Sequence, residues 1–302
     1  GGFQEFRILK STERRREVGS IIPPDMSICS QCLKDFFDPS NRRHRYYFIT
    51  CTDCGPRYTI IDRLPYDRPN TTMRDFPLCS QCLQEYTSPK DRRFHSQTVA
   101  CQVCGPKAFL TDKNGVKIGC GDPFLETGKL LSEGFIIAIK GIGGFHVATS
   151  TVNPEPVRKL RKAKYREQKP FAIMAKNVEA VKTFAQVNEF EEKILTLPER
   201  PIVLLEKSRE YHLAEEIAPG LHNIGAMLPY TGLHYLLFES VRNEPALVMT
   251  SGNLPAEPVI SDNEEALKKL ASFVDYFLIN ERRIVQPCDD SVVKPVDGKP
   301  VL

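Results

Sequence analysis

The chain has 302 residues, 41% of them hydrophobic and 26% charged, enough apolar material for about two domains. It contains no apolar run of about eighteen residues that could cross a membrane and no opening signal peptide, so the reading is a cytoplasmic protein with no membrane partner. The formal charge of +3 is uneven, with 17 Lys+Arg against 12 Asp+Glu in residues 1–110, which is weak support for nucleic-acid binding.

Residues 1–26 do not read as a free-standing domain. Phe3–Leu9 suits a short strand, Arg14-Arg15-Arg16 a charged linker, and Pro23-Pro24 a stiff entry to the first cysteine knuckle.

Residues 27–108 hold four Cys-x-x-Cys knuckles: Cys29/Cys32, Cys51/Cys54, Cys79/Cys82 and Cys101/Cys104. Eighteen residues separate the first knuckle from the second, and eighteen the third from the fourth. The second half repeats the first fifty residues later: Ser30-Gln31-Cys32-Leu33 returns as Ser80-Gln81-Cys82-Leu83, Arg42-Arg43 as Arg92-Arg93, and Cys54-Gly55-Pro56 as Cys104-Gly105-Pro106. A C-x2-C-x18-C-x2-C pattern reads as a zinc site, so the segment is a tandem module with two structural Zn2+ ions, each in a closed shell of four thiolates. Metal in a reducing compartment fits eight paired cysteines better than disulfides. Consecutive knuckles or a nested set could share each ion. His44 and His95 lie within the arms and read as surface residues, since each half already has four thiols. The arginines read as a solvated face that balances thiolate charge. Tyr46–Thr50 suits a short strand, and Asp62–Pro77 joins the halves. Too little apolar material is present for a separate core, so the metal must supply folding energy.

Beyond about Val116, helices and strands alternate. Asp122-Pro123 caps a helix that Gly134 closes, and Phe135–Ile139 follows as a buried strand ending in Lys140. Asn153-Pro154 starts a basic helix running toward Lys164, and Asn177 caps another after the strand Phe171–Ala175. Glu189–Leu197 and Thr231–Ser240 read as helices, and Ser261 with Glu264 as the capping box of one that runs to Ala271. Ile202–Leu205, Ile224–Leu228, Ala246–Thr250, Tyr276–Ile279 and Ser291–Lys294 read as strands, and Asp297-Gly298 as a turn. The alternation predicts an α/β (α+β) domain with a mixed twisted sheet over 115–302.

Three polar clusters adjoin predicted strands, where open α/β sheets bind ligands. Lys140-Gly141-Ile142-Gly143-Gly144-Phe145-His146 lacks the phosphate-loop and dinucleotide spacings and could be a plain tight turn. In Lys164-Tyr165-Arg166, an extended segment would point both cations to one face, suited to an anion. A solvated helix end is the alternative. Ser251-Gly252-Asn253, after Thr250, offers hydroxyl and amide groups to phosphate oxygens or is a simple turn. Cys120 and Cys288 stand outside the array and read as packing residues rather than nucleophiles.

In this order, after this cysteine array, these motifs resemble the central part of the HypF family of [NiFe]-hydrogenase maturation carbamoyltransferases. The resemblance extends to Leu228-Pro229-Tyr230-Thr231 and Cys288-Asp289-Asp290-Ser291-Val292-Val293. Residues 115–302 are similar to the family's YrdC-like domain, which is related to threonylcarbamoyl-adenylate synthases of tRNA modification. The resemblance implies a fragment lacking an acylphosphatase-like domain, whose tail Phe3–Ser11 resembles, and a sugar-kinase-like transfer domain. It implies ATP-dependent formation of carbamoyl-adenylate from carbamate derived from carbamoyl phosphate, with HypE as carbamoyl acceptor and Mg2+ beside ATP. On that basis Lys164 and Arg166 would hold carbamate and phosphate charge, and Ser251 and Asn253 the triphosphate. Lys140, His146, Gly143, Gly144 and Phe145 would line the acyl-adenylate pocket, with Pro229, Tyr230, Thr250, Gly252 and Ser291 completing it. A zinc-containing RNA-binding module or a threonylcarbamoyl-adenylate-type tRNA modification protein is the alternative reading; the mild charge speaks against RNA binding.

Overall fold

The computed structural model describes residues 22–296 and 298–302. The expectations for Phe3–Leu9, Phe3–Ser11, Arg14–Arg16 and Asp297 lie outside the described residues.

The two fingers come first. Each carries one helix that begins directly after its first knuckle cysteine: α1 (Ser30–Phe37) and α2 (Ser80–Thr87). The predicted strand Tyr46–Thr50 is instead irregular backbone, with all five residues buried. Its apolar run serves packing without forming a ladder, the ambiguity that a short apolar run always carries.

The remainder supplies strands β1 (Ala108–Asp112), β2 (Ile137–Lys140), β3 (Phe145–Ser150), β4 (Ile173–Ala175), β5 (Ile202–Glu206), β6 (Asn223–Met227), β7 (Ala246–Ser251), β8 (Tyr276–Asn280), β9 (Val292–Val296) and β10 (Lys299–Val301). Helices α3 (Pro123–Ser132), α4 (Pro154–Ala163), α5 (Val178–Lys182), α6 (Glu189–Leu195), α7 (Gly232–Ser240) and α8 (Asn263–Leu270) alternate with them. The strands form one mixed sheet in the order β1-β8-β2-β3-β7-β4-β6-β5-β9-β10. Antiparallel pairs such as β2–β3 and β3–β7 are mixed with parallel ones such as β2–β8 and β4–β6.

Local sequence explains the helix ends. Asp122, Asn153, Asn177 and Asn188 each cap a helix through the side chain, and Asn188 with Glu191 closes a full capping box. Gly134 takes φ +88° after α3, as a closing glycine must. The cap of α8 is Asp262, whose carboxylate accepts the amides of Glu264 and Glu265, and not the expected Ser261. The acidic side chain one residue on is the better acceptor for a helix N-terminus.

Both sheet faces are buried, and side chains alternate between them. Ala138, Phe145, Val147, Val248 and Phe277 pack on one face, beneath α4 and α8. Ile137, Ile139, Ala148, Met249 and Leu278 pack on the other, with α3, α7 and the fingers. Finger residues Phe36, Tyr46, Tyr47 and Ile60 join this second core. The module therefore has no core of its own, as its composition implied, but it does not rest on metal alone: it forms a layer over the sheet.

Candidate functional site

The cysteines gather in consecutive pairs of knuckles. Cys29, Cys32, Cys51 and Cys54 form one cluster, and Cys79, Cys82, Cys101 and Cys104 the other, with all sulfurs of a cluster within 4.8 Å of one another. The Sγ–Sγ separations Cys29–Cys51, Cys51–Cys54 and Cys101–Cys104 are 3.7, 3.7 and 3.8 Å. A tetrahedral Zn–S shell with bonds of about 2.3 Å has edges of this length. The clusters fit zinc, and the consecutive pairing removes the nested alternative. Neither His44 nor His95 belongs to a cluster.

The arginines correct the expectation of a solvated face. Arg43 is 1% exposed and Arg93 5%. Each finger's Arg pair reaches across to the other finger. Arg42 donates to Cys82 Sγ at 3.1 Å, and both Arg42 and Arg43 clasp Glu85, while Arg43 Nε donates to Ala100 O at 2.8 Å. One repeat away the same set recurs: Arg92 donates to Cys32 Sγ at 3.3 Å, Arg92 and Arg93 clasp Asp35, and Arg93 Nε donates to Thr50 O at 3.1 Å. Each cluster's negative charge is thus met by the other finger's guanidinium groups, so these four arginines are not free for a nucleic-acid backbone.

Two cavities adjoin the strand ends of the sheet domain. One, of 590 Å3, is lined by Lys164, Tyr165, Arg166, Lys169 and the segment Asn253–Pro258. Lys164 and Arg166 reach it by a route other than the extended segment expected. Lys164 is the C-cap of α4, Tyr165 takes φ +49°, and the amides of Tyr165 and Arg166 return to Lys162 O and Arg161 O. This is a Schellman closure built on a tyrosine instead of glycine, and Tyr165 is left 85% exposed.

The turn folds both cations back onto the β7 end. Lys164 Nζ donates to Ser251 O, Asn253 O and Asn253 Oδ1 at 2.9, 2.8 and 2.9 Å, and Arg166 donates to Thr250 Oγ1 at 3.2 Å. Lys164 is 3% exposed, and burial together with the neighbouring Arg166 pushes its pKa down to about 7. Among the described residues neither cation has a carboxylate within ion-pair distance.

The second cavity, of 330 Å3, lies on the finger side. Gly143, His146, Tyr230 and Ser291 line it from the sheet domain, Ser27 and Tyr58 from the finger module, and Asp25 from the segment leading into it. His146 Nε2 stands 2.8 Å from Asp290 Oδ2. His146 and Ser251 are cross-strand partners, so Ser251 shares the sheet face of His146, while Thr250 lies on the other face, where Arg166 donates to it.

Not every expected residue joins the two cavities. Lys140 and His146 were expected to frame one pocket, but Lys140 pairs across the hairpin with Phe145, on the opposite sheet face from His146. Its ammonium bonds Asn263 Oδ1 at 2.6 Å, and burial and Arg282 push its pKa down to about 7. Phe145 is buried beside it. A Cβ at Gly143 would run into the Cys288 carbonyl, and one at Gly144 would lie 2.6 Å from Val259 Cγ2, so close packing accounts for both glycines. Gly252 is likewise pressed against Phe145, to whose carbonyl its amide donates at 2.6 Å. Pro229 lines neither cavity, whereas Tyr230 does. Cys288 borders the second cavity, where burial and Asp25 raise its thiol pKa, the wrong direction for a nucleophile. Cys120 belongs to no cluster. Sequence reasoning missed Asp290 as the partner of His146; 144 residues separate them, and the Asp-Asp pair before β9 was the only sign.

A mixed sheet with a buried lysine and a half-buried arginine at one strand end, walled by two four-cysteine fingers that fit zinc, defines the class of protein. The family model described as telomere recombination, of the Sua5/YciO/YrdC proteins, matches residues 129–302, and the HypF finger model matches 28–61 and 78–111. The chain belongs to the Sua5/YciO/YrdC family and carries the paired HypF finger. It is 52% identical over 301 residues to the probable carbamoyltransferase HypF of Methanocaldococcus jannaschii and 48% identical over 308 residues to the carbamoyltransferase HypF2 of Cupriavidus necator. These matches cover 99% and 98% of this chain but 39% and 38% of the relatives. The chain thus spans about two fifths of the curated relatives it matches. The structure of T. kodakarensis HypF superimposes with a TM-score of 0.90 at 51% identity, covering 94% of this chain and 37% of that one. A full-length HypF in phosphate- and nucleotide-bound form gives 0.86 at 49%, covering 90% and 35%. P. abyssi Sua5 complexed with L-threonine, 16% identical with a TM-score of 0.52 over 59% of this chain and 52% of that one, shares the fold. The resemblance to HypF read from the cysteine array and strand-end motifs is borne out, as is the YrdC-like mixed sheet. No helix among the described residues is long and apolar enough to cross a membrane.

Proposed function

We propose that this chain forms carbamoyl-adenylate from ATP and carbamate, for transfer of the carbamoyl group toward the cyanide ligands of [NiFe] hydrogenase. The observation that carries the proposal is the pair Lys164 and Arg166, converging without a carboxylate partner on the Thr250–Asn253 end of β7. Cations with no carboxylate in contact suit phosphate oxygens, and a nucleotide-bound HypF is among the similar structures.

In the proposed step a carbamate oxygen attacks the α-phosphorus of ATP. The new P–O bond forms as the bond to the bridging oxygen breaks, and pyrophosphate leaves with that electron pair. No protein nucleophile is needed, so the site acts by positioning and charge stabilisation. Lys164 and Arg166 would neutralise the phosphates, with Ser251 and Asn253 holding the turn that receives them. His146, Tyr230 and Ser291 would border the carbamoyl end. Lys140 would support the Gly141–Gly144 loop from the other face. Mg2+ would neutralise phosphate charge when bound. Carbamoyl phosphate as source of carbamate, the acylphosphatase-like and transfer domains of longer relatives, HypE as acceptor and a cytoplasmic setting complete the reading. No observation favours the RNA alternative.

ATP–pyrophosphate exchange supported by carbamate tests this. Lys164→Ala should lower exchange at least about 30-fold, a loss of about 2 kcal/mol of transition-state stabilisation, without unfolding the domain. Exchange at the wild-type rate in this variant would remove Lys164 from the site.

A further inference from the structure

We propose that Asp290 is a positioning residue for His146, holding Nε2 so that Nδ1 is the atom offered to the carbamate in the finger-side cavity. The inference rests on the adenylate-forming reading above and extends it to the second reactant.

His146 is 6% exposed at the start of β3, and Asp290 meets it from the segment before β9, at 2.8 Å. With Nε2 engaged, Nδ1 is left without any protein partner although it is buried. It lies beside Gly141, where a Cβ would stand 3.3 Å away, so no side chain covers it there. A buried imidazole nitrogen with no partner is costly unless a ligand completes it.

The surroundings decide its charge. Asp290 and Asp289 face it from the segment before β9, with Cys288 beside them, and Asp25 and Arg200 stand in the cavity walls. Tyr230 and His234 lie beneath, from α7 and its entry. Lys140 is across the hairpin, and Arg282 donates to Gly141 O and Ile142 O. Burial alone would lower the pKa of His146, but the Asp290 carboxylate outweighs it and raises the value. His234 differs: burial and the neighbouring His146 push it down to about 3, and Thr231 Oγ1 lies 3.0 Å from its Nδ1. His146 is therefore the more basic member of the pair, and once protonated its Nδ1–H can donate to an anionic carbamate oxygen. Without Asp290 the buried ring would lose its proton and present a lone pair in its place.

Nitrogen-15 spectra of histidine-labelled 302-residue protein test this separately from exchange. His146 should titrate above the ordinary value of 6.5, and added ammonium carbamate should move its Nδ1 resonance. In Asp290→Asn the proton affinity of His146 should fall at least tenfold, and carbamate should bind at least tenfold more weakly. A wild-type His146 that titrates at or below 6.5, or that ignores carbamate, overturns the proposal even if the variant fails to fold. So does an Asp290→Asn protein whose His146 titrates unchanged. Absent exchange with these signals intact would instead overturn adenylate formation alone.

Discussion

Lys164 carries its proposed role only as a cation, yet its pKa in the free protein is about 7. Bound phosphates favour the protonated form and raise that value. Binding must then take up a proton above pH 7, so ATP affinity should fall as pH rises, by up to tenfold per unit. Calorimetry at pH 7 and 9 in buffers of different ionisation enthalpy checks this; equal affinity with no proton uptake would deny Lys164 phosphate contact. The repeated Cys-Gly-Pro endings show how one motif can hide two causes. Gly55 needs its φ of +95°, whereas Gly105 is required because a Cβ would collide with the Tyr46 hydroxyl. Gly105→Ala should cost about 1–3 kcal/mol by overpacking, while Gly119→Ala, with open space around it, should leave the melting temperature unchanged. Lys164 and Arg166 were legible as a motif because their charges are adjacent in sequence. Their geometry was not, because the exposed tyrosine is held in the left-handed region by the bonds of its neighbours to a distant strand end. Asp290 was illegible, since nothing local ties it to a histidine on another strand.

At the scale of elements, helix starts were the most legible feature. Asp122, Asn153 and Asn177 act through bonds two or three residues away, within reach of a sequence pattern. The exchange of arginines between fingers was not legible: the repeat shows that Arg42-Arg43 and Arg92-Arg93 correspond but not that each serves the other's cluster. Such outer partners orient metal ligands, and losing one typically costs 10–100-fold in affinity. Arg93→Met should therefore loosen zinc mainly at Cys29–Cys54 and Arg43→Met mainly at Cys79–Cys104. Competition with a chromogenic chelator, with each cluster read by cobalt substitution, distinguishes the sites. Loss confined to the finger carrying the substitution would contradict the crossed arrangement.

Across the whole molecule, the fingers and the sheet share one apolar layer, and the module walls the finger-side cavity. Tyr230 O accepts the amide of Ile28 at 2.9 Å, and Met26 and Gly55 exchange backbone hydrogen bonds at 3.1 and 2.9 Å. The first finger is thus bonded to the cavity wall. Calorimetric unfolding of the zinc-loaded chain should show a single transition; two resolved transitions would mean that the layers are independent. Composition made the dependence of the fingers legible, but not their partner, because packing between distant segments leaves no periodic trace. Seating of the triphosphate at the β7 end, between the two cavities, is decided by a crystal structure with a non-hydrolysable ATP analogue. The phosphates should lie against Lys164, Arg166 and Asn253, with the α-phosphorus turned toward His146. Phosphates bound away from Lys164 and Ser251 would contradict it.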